Sequence, residues 1–203
     1  KALVLSPGSS AVHQEYAWYL AARGRLDEAL AEMRLARDLD PLSPLVNAGV
    51  AGILMYRREP EAAVEQLRKV MEHDPDFLVA QYGLGRVYLL QGKHEQAIAQ
   101  FEKVVGRAGS WPAASANLAC AHANAGHRRE ALKALERWEK LVKSGFPEYQ
   151  DGACAYAALG EKDKAFSLLD KAYANHARGI VWLKVDPGMD RLRSDPRFRD
   201  LLQ

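Results

Sequence analysis

Residues 84–101 read LGRVYLLQGKHEQAIAQF, and this stretch decides the fold. Its apolar residues recur at the 3.6-residue spacing of an amphipathic helix on both sides of Gly92. Glycine adopts a left-handed conformation at little cost, and helices commonly end at such a residue. The stretch therefore predicts two helices joined by a tight glycine turn.

The same pattern recurs along the chain every 34 residues, as three columns of equivalent positions. The first column is alanine throughout: Ala29, Ala63, Ala97, Ala131 and Ala165. The second column always holds a small residue: Ala17, Ala51, Gly85, Ala119 and Ala153. The third column is glycine in four of five blocks: Gly24, Arg58, Gly92, Gly126 and Gly160. Small residues let paired helices approach closely, so we predict five helical hairpins.

Composition agrees with an all-α chain and excludes several classes of function. Threonine is absent while alanine and leucine are abundant, which favours helix over strand. The formal charge of +2 is too small for binding a polyanion by charge alone, so nucleic acid is not an expected partner. We find no uninterrupted apolar run long enough for a membrane span, and no membrane association is expected.

The repeat resembles the tetratricopeptide repeat, whose signature has Leu-Gly, Tyr, Ala and Phe at fixed offsets. Leu84, Gly85, Tyr88, Ala97 and Phe101 match that signature in the third block. The resemblance implies an all-α, right-handed α-solenoid of about five hairpins with a C-terminal helical cap. The other blocks keep the small columns but replace the phenylalanine by Met33, Leu67, Leu135 and Leu169.

We predict three regions on this basis. Residues 1–9 are the remnant of an upstream repeat, 10–179 are five repeats, and 180–203 form the cap. The repeats are 10–43, 44–77, 78–111, 112–145 and 146–179. The expected helices are 10–23, 26–39, 44–57, 60–73, 77–91, 94–107, 111–125, 128–143, 147–159 and 162–175.

The end of the chain leaves the repeat pattern and contains Asp-Pro twice. Asp186-Pro187 and Asp195-Pro196 each combine an N-cap acceptor with a residue suited to the first helical position, which predicts two short helices. One interpretation is a cap that covers the last hairpin. The other is a basic docking patch, which the interleaved aspartates weaken. The patch would consist of Arg191, Arg193, Arg197 and Arg199.

The stretch 190–198, DRLRSDPRF, makes this end similar to the C-terminal region of bacterial multidomain signalling proteins. In those proteins a repeat array follows a serine/threonine kinase, an adenylate cyclase or a winged-helix regulator. Residues 1–9 fit as the end of an earlier block, so we expect the chain to continue upstream of Lys1, and the resemblance implies an effector domain there.

The sequence contains no pattern of residues that predicts catalysis. A phosphate loop, a GxSxG nucleophile and a metal-binding HExxH are absent, so we expect no enzyme activity, no cofactor and no metal. Cys120 and Cys154 occupy equivalent positions in neighbouring blocks. Packed helices lie about 8–10 Å apart, which places these cysteines beyond disulfide reach and favours a reducing, cytoplasmic location.

Binding is expected on the first helix of each hairpin, because family geometry places a concave peptide groove there. The residues that the resemblance assigns to the groove are Gln14, Trp18, Met55, Tyr56, Tyr82, Arg86, Leu89, Cys120, Asn124, Gln150 and Cys154. For each aromatic residue, packing between blocks is the alternative role. Lysine and asparagine clamps for a terminal carboxylate are missing at the corresponding positions.

Two functional hypotheses follow from these features. The first is a scaffold or sensor module that binds a protein or peptide partner as part of a larger bacterial regulator. The alternative is a small-molecule-sensing domain that controls an attached effector. Oligomeric state and the identity of the partner stay open.

Overall fold

The computed structural model describes residues 6–143 and 149–202, and within them every regular element is helical. The α-helices are α1 (Ser10–Ala22), α2 (Leu26–Leu39), α3 (Pro44–Tyr56), α4 (Pro60–His73), α5 (Leu78–Leu90), α6 (His94–Ala108), α7 (Pro112–Asn124), α8 (Arg128–Lys143), α9 (Tyr149–Ala158), α10 (Lys162–Ala174) and α11 (Pro196–Asp200). Two 3₁₀ helices, Arg178–Trp182 and Pro187–Met189, lie between α10 and α11. The predicted all-α fold class, with helical hairpins and a C-terminal helical segment, is confirmed.

Helix starts follow from local capping chemistry. The hydroxyls of Ser9 and Ser43 accept hydrogen bonds from backbone N–H groups in the first turns of α1 and α3. Proline opens α3, α4 and α7, where its missing N–H removes no intrahelical bond. The observed bounds lie within one or two residues of the predicted helices. Residues 1–5 of the predicted remnant and residues 147–148 of the ninth predicted helix lie outside the described residues.

The hairpin turns use the left-handed conformation that the third column predicts. Gly24, Gly92, Gly126 and Gly160 have φ between 71° and 83°. Arg58, the exception in the column, adopts the same conformation with φ of 65°. The turn geometry is therefore the same at every position of the third column, even at Arg58, where glycine is missing.

The chain divides into two compact units, and the division falls within α5. Unit 1 comprises residues 1–87 and unit 2 comprises residues 88–203. In unit 1, α1 packs on α2 and α3, and α3 packs on α4. Its core is built around Leu20, Met33, Ile53 and Leu67, all nearly inaccessible to solvent.

In unit 2, α7 packs on α6, α8 and α9, and α9 packs on α10. Residues 178–200, which we name the C-terminal segment, fold onto this unit through contacts with α9 and α10. The segment buries its own apolar side chains, Leu183, Val185, Met189, Leu192 and Phe198. Its two Asp-Pro steps begin a 3₁₀ helix and α11, as predicted, and Asp186 and Asp195 accept capping hydrogen bonds.

At several places, a large side chain from the second helix of one hairpin packs against a glycine in the first helix of the next hairpin. A Cβ on Gly83 would lie 3.1 Å from a methyl group of Leu67, and one on Gly49 would lie 2.8 Å from the sulfur of Met33. Gly152 leaves the corresponding space for the indole of Trp138. These glycines set how closely successive hairpins pack.

No helix in residues 6–143 and 149–202 combines the length and hydrophobicity that crossing a bilayer requires.

Candidate functional site

An open groove lies on unit 1, bounded by α1, α3 and α5, and encloses a cavity of about 160 Å³. We call it the unit 1 groove. The residues that line it are Gln14, Trp18, Leu45, Ala48, Gly49, Ala51, Gly52, Met55, Leu67, Val79, Tyr82, Gly83, Arg86 and Val87. The lining is mostly apolar, with an amide at Gln14 and a guanidinium at Arg86. Five predicted groove residues meet here: Gln14, Trp18, Met55, Tyr82 and Arg86.

Trp18 lies against a part of α3 that carries no side chains. A Cβ on Gly52 would lie 2.8 Å from Cη2 of the indole, and one on Gly49 would lie 3.6 Å from Cζ2. The two glycines are three residues apart and therefore lie on the same helix face. Trp18 packs against α3 and is half-buried, and it also lines the groove, so packing does not remove it from this surface. Its predicted role in binding stays a prediction.

Arg86 is the cationic residue of the groove lining. Its guanidinium carbon lies 5.8 Å from the centre of the Tyr56 ring, a cation–π distance that restrains the long side chain. Tyr56 itself is buried and does not line the groove, although the sequence places it there. Tyr56 therefore contributes through its ring contact with Arg86 and not as part of the lining.

The remaining predicted groove residues all belong to unit 2. Leu89 is half-buried in the last turn of α5. Cys120 and Asn124 lie on α7, whereas Gln150 and Cys154 lie on α9. We call the surface formed by Cys120, Asn124, Gln150 and Cys154 the unit 2 face.

The C-terminal segment covers the unit 2 face. Arg191 donates from Nη2 to Oδ1 of Asn124 at 2.7 Å. A Cβ on Gly188 would lie 3.4 Å from Sγ of Cys154, and the side chain of Gln150 fills the space that a Cβ on Gly179 would need. The segment's backbone therefore approaches α9 at two glycines. Nothing in the 34-residue spacing predicts this contact, since the segment lies outside the repeats.

The two cysteines are free thiols, and both are buried. A hydrogen bond with the Cys120 thiol and burial together raise the pKa of the Cys154 thiol well above its ordinary value. The sequence predicts that the two cysteines lie beyond disulfide reach and stay reduced, and the structure forms no disulfide between them.

Beside the cysteines, Asn117 and Asp151 form a buried polar pair. Nδ2 of Asn117 donates to Oδ1 of Asp151 at 2.8 Å and to the carbonyl of Ala113 at 2.9 Å. Asn117 and Asp151 occupy equivalent positions, 34 residues apart. Within the described ranges, no group of three or more His, Cys, Asp and Glu side chains has an arrangement that could hold a metal ion.

Three arginines of the predicted basic patch are engaged within the protein. Arg191 binds Asn124, and Arg193 donates to Oδ1 of Asp190 at 2.9 Å. Arg197 lies 4.0 Å above the Phe166 ring and donates to Asp163 and Asp195. These contacts favour the cap interpretation of the segment over the docking patch.

Sequence comparison identifies tetratricopeptide repeats in two parts of the chain. Profiles of this repeat match residues 54–113 and residues 15–34. No curated protein matches the sequence. The matched ranges include the third-block signature and most of the first hairpin's first helix.

Several solved structures share the fold at low sequence identity. TTC0263, a thermophilic tetratricopeptide protein of Thermus thermophilus, has a TM-score of 0.70 at 19% identity, covering 96% of this chain and 99% of that chain. PilW, a type IV pilus biogenesis factor, has a TM-score of 0.65 at 19% identity, covering 100% and 86%. YrrB has a TM-score of 0.51 at 20% identity, covering 91% and 95%. Identities this low support likeness of fold alone.

Proposed function

We propose that this tetratricopeptide-repeat protein is a protein-interaction module that binds a peptide segment of its partner in the unit 1 groove. The observation that carries the proposal is an open, mostly apolar groove whose lining includes two half-buried aromatic side chains, Trp18 and Tyr82. Aromatic anchors in partly dehydrated pockets carry much of the energy at protein interfaces. Arg86 and Gln14 supply polar anchors at the same surface.

The groove suits a peptide because its walls are helix faces with gaps between them. Gly49 and Gly52 accommodate the indole of Trp18, which holds this aromatic side chain in the wall of the groove. Met55 adds a polarizable side chain that adapts to different partners. YrrB, one of the proteins of similar fold, is described as having an unusual peptide-binding site.

The test combines two substitutions in the groove with a matched control outside it. Peptides selected on the wild-type chain from a display library are titrated against Trp18→Ala/Tyr82→Ala and against Tyr82→Ala alone. Each lost aromatic anchor removes about 2 kcal/mol or more of binding, so Tyr82→Ala alone should bind at least about 30-fold more weakly and the double variant more weakly still.

Tyr19→Ala is the control, because Tyr19 is a tyrosine of α1 that is largely exposed and does not line the groove. Circular dichroism verifies that all variants keep their helical content. Selected peptides that bind Tyr82→Ala and the double variant as tightly as the wild type would remove the groove from consideration.

We propose further that the module belongs to a larger bacterial regulator, in which it acts as scaffold or sensor for an effector domain. Support comes from the resemblance carried by residues 190–198. The sequence of the gene upstream of residue 1 tests this idea. A kinase, cyclase or winged-helix domain there is the expected result, whereas an upstream region without any effector domain contradicts it.

Small-molecule sensing is the alternative function, and the groove supports it less well. Its cavity of about 160 Å³ is smaller than the roughly 300–1,000 Å³ of most small-molecule sites. A ligand that binds only the native state raises the melting temperature, so a thermal-shift screen with a metabolite panel separates the two functions. A cytoplasmic location stays a prediction.

A further inference from the structure

The unit 1 groove and the unit 2 face occupy equivalent positions of the repeat but differ in what lies on them. Trp18, Arg86, Cys120 and Cys154 belong to one column, because their separations are multiples of 34 residues. The first two line an open groove. The last two are buried, and Cys154 lies beneath Gly188 of the C-terminal segment. The same helix face is thus open in one unit and covered in the other.

The segment meets the unit 2 face through two backbone approaches at glycines and one side-chain hydrogen bond. Gly179 and Gly188 bring its backbone against Gln150 and Cys154. The Asp186 carboxylate accepts a hydrogen bond from the Gly188 N–H at 2.8 Å, which fixes the turn that approaches α9. Arg191 then reaches Oδ1 of Asn124 on α7, which is 67 residues away in sequence.

Asn124 is held ready for this arginine by its own helix. Its Nδ2 donates to the carbonyl of Cys120 at 2.8 Å, which leaves Oδ1 facing the guanidinium of Arg191. The segment also buries Leu183, Met189 and Leu192. Buried apolar side chains therefore lie on either side of the Pro-Gly turn, and the charged contact of Arg191 follows them.

We propose that the unit 2 face is a second peptide-binding surface of this protein, which the C-terminal segment occupies in cis. The peptide chemistry it accepts is that of the segment: apolar side chains flanking an Asp-Pro-Gly turn, with an arginine three residues after the glycine. The inference rests on the proposed function in one respect: both place peptide binding on the first helices of the hairpins. Foreign peptides are then confined to the unit 1 groove while the segment is in place.

Covalent attachment explains why the segment holds this surface. Only residues 175–177 separate α10 from the first 3₁₀ helix of the segment. A short connection gives the attached peptide an effective concentration of the order of mM, which a free competitor must exceed. Cutting the connection should therefore convert the segment into an exchangeable ligand.

The experiment uses the full chain with a protease site inserted beside His176, which is exposed and has positive φ. The probe is a fluorescent synthetic peptide of residues 178–202. After cleavage, the labelled peptide should replace the native segment and raise the fluorescence anisotropy, whereas the uncut chain should bind at least about 100-fold less of it.

Peptide variants test the contacts one at a time. An Arg191→Ala peptide loses the bond to Asn124 and should bind about tenfold more weakly, in keeping with a hydrogen bond to a charged group. A Gly188→Leu peptide places a large side chain where a Cβ already lies 3.4 Å from Sγ of Cys154, so it should bind more weakly than the unmodified peptide. Arg199→Ala, which removes an exposed arginine outside these contacts, is the matched control and should bind like the unmodified peptide.

Several results would overturn the proposal. If the labelled peptide does not exchange into the cut chain, the segment is an integral part of the folded core and not a bound peptide. Loss of the helical circular dichroism signal on cleavage would lead to the same conclusion. Equal binding of the Gly188→Leu and unmodified peptides would place the contact elsewhere. Trp18→Ala/Tyr82→Ala in the cut chain should leave exchange unchanged, so failure at the unit 1 groove and failure at the unit 2 face are distinguishable.

Discussion

Replacing Gly152 by alanine should destabilise unit 2, although alanine favours helix more than glycine does. Gly152 lies within α9, and Trp138, which is 2% exposed, packs directly over it. A Cβ there would approach three atoms of the six-membered ring of the indole, the farthest of them at 2.8 Å. Carbon atoms in contact are about 3.5–4.0 Å apart, so either the indole or α9 has to move.

The magnitude follows from two opposing effects. Overpacking a close-packed core costs about 1–3 kcal/mol. Substituting alanine for glycine inside a helix returns about 0.5–1 kcal/mol. The Cβ would meet three ring atoms at once, which places the overpacking cost in the upper half of its range, about 2–3 kcal/mol. The net loss of unfolding free energy is therefore about 1–2.5 kcal/mol, which lowers the melting temperature of a chain of this length by roughly 2–10 °C.

Gly106→Ala is the matched control because Gly106 lies in α6, is exposed, and has no atom within 4 Å of an added Cβ. It should raise the unfolding free energy by about 0.5 kcal/mol from helix propensity alone. Urea unfolding followed by circular dichroism and by tryptophan fluorescence measures both variants. A Gly152→Ala chain as stable as Gly106→Ala would refute the assignment of Trp138 to the space over α9.

The remaining predictions concern a buried histidine and the hairpin turns. Hydrogen bonds from the His13 ring to Glu32 at 2.6 Å and to a backbone carbonyl at 2.9 Å raise the pKa of His13 above 6.5. Its stabilising contribution is therefore complete below about pH 6.5 and is lost as the pH rises through the higher folded-state pKa. Urea unfolding between pH 5.5 and 9 should show a stability loss that is smaller in His13→Gln, and equal pH profiles would contradict this assignment. Gly126→Ala, at a φ of 83°, should lower the unfolding free energy by about 1 kcal/mol, whereas Arg58→Gly should leave it unchanged or raise it by up to about 0.5 kcal/mol. Thermal unfolding of both turn variants checks the sign, and a destabilised Arg58→Gly would show that the arginine's contacts outweigh its backbone strain.

The local repeat could be predicted closely because each of its features depends on neighbours in sequence. Apolar spacing defines each helix face, glycine or a tolerated arginine ends the first helix, and proline marks several helix starts. Arg58 illustrates the strength of this pattern, since it takes the left-handed conformation of its column without being glycine. The two Asp-Pro steps likewise predicted short helices at Pro187 and Pro196.

The candidate site could be predicted only in part, because groove positions were assigned by repeat register. Register brought Gln14, Trp18, Tyr82 and Arg86 to one surface. It did not reveal that Gly49 and Gly52 leave room for the Trp18 ring, or that Tyr56 is buried behind Arg86. A pair of glycines three residues apart on a first helix was the available signal.

The sequence by itself determined the helices, their turns and the hairpin repeat, since these depend on interactions within about 34 residues. Only the tertiary structure decided which groove positions are open. The contact between Arg191 and Asn124 joins residues 67 positions apart, and the approach of Gly188 to Cys154 depends on how the C-terminal segment folds back. Such contacts arise from the three-dimensional packing of a segment outside the repeat, so no period in the sequence encodes them.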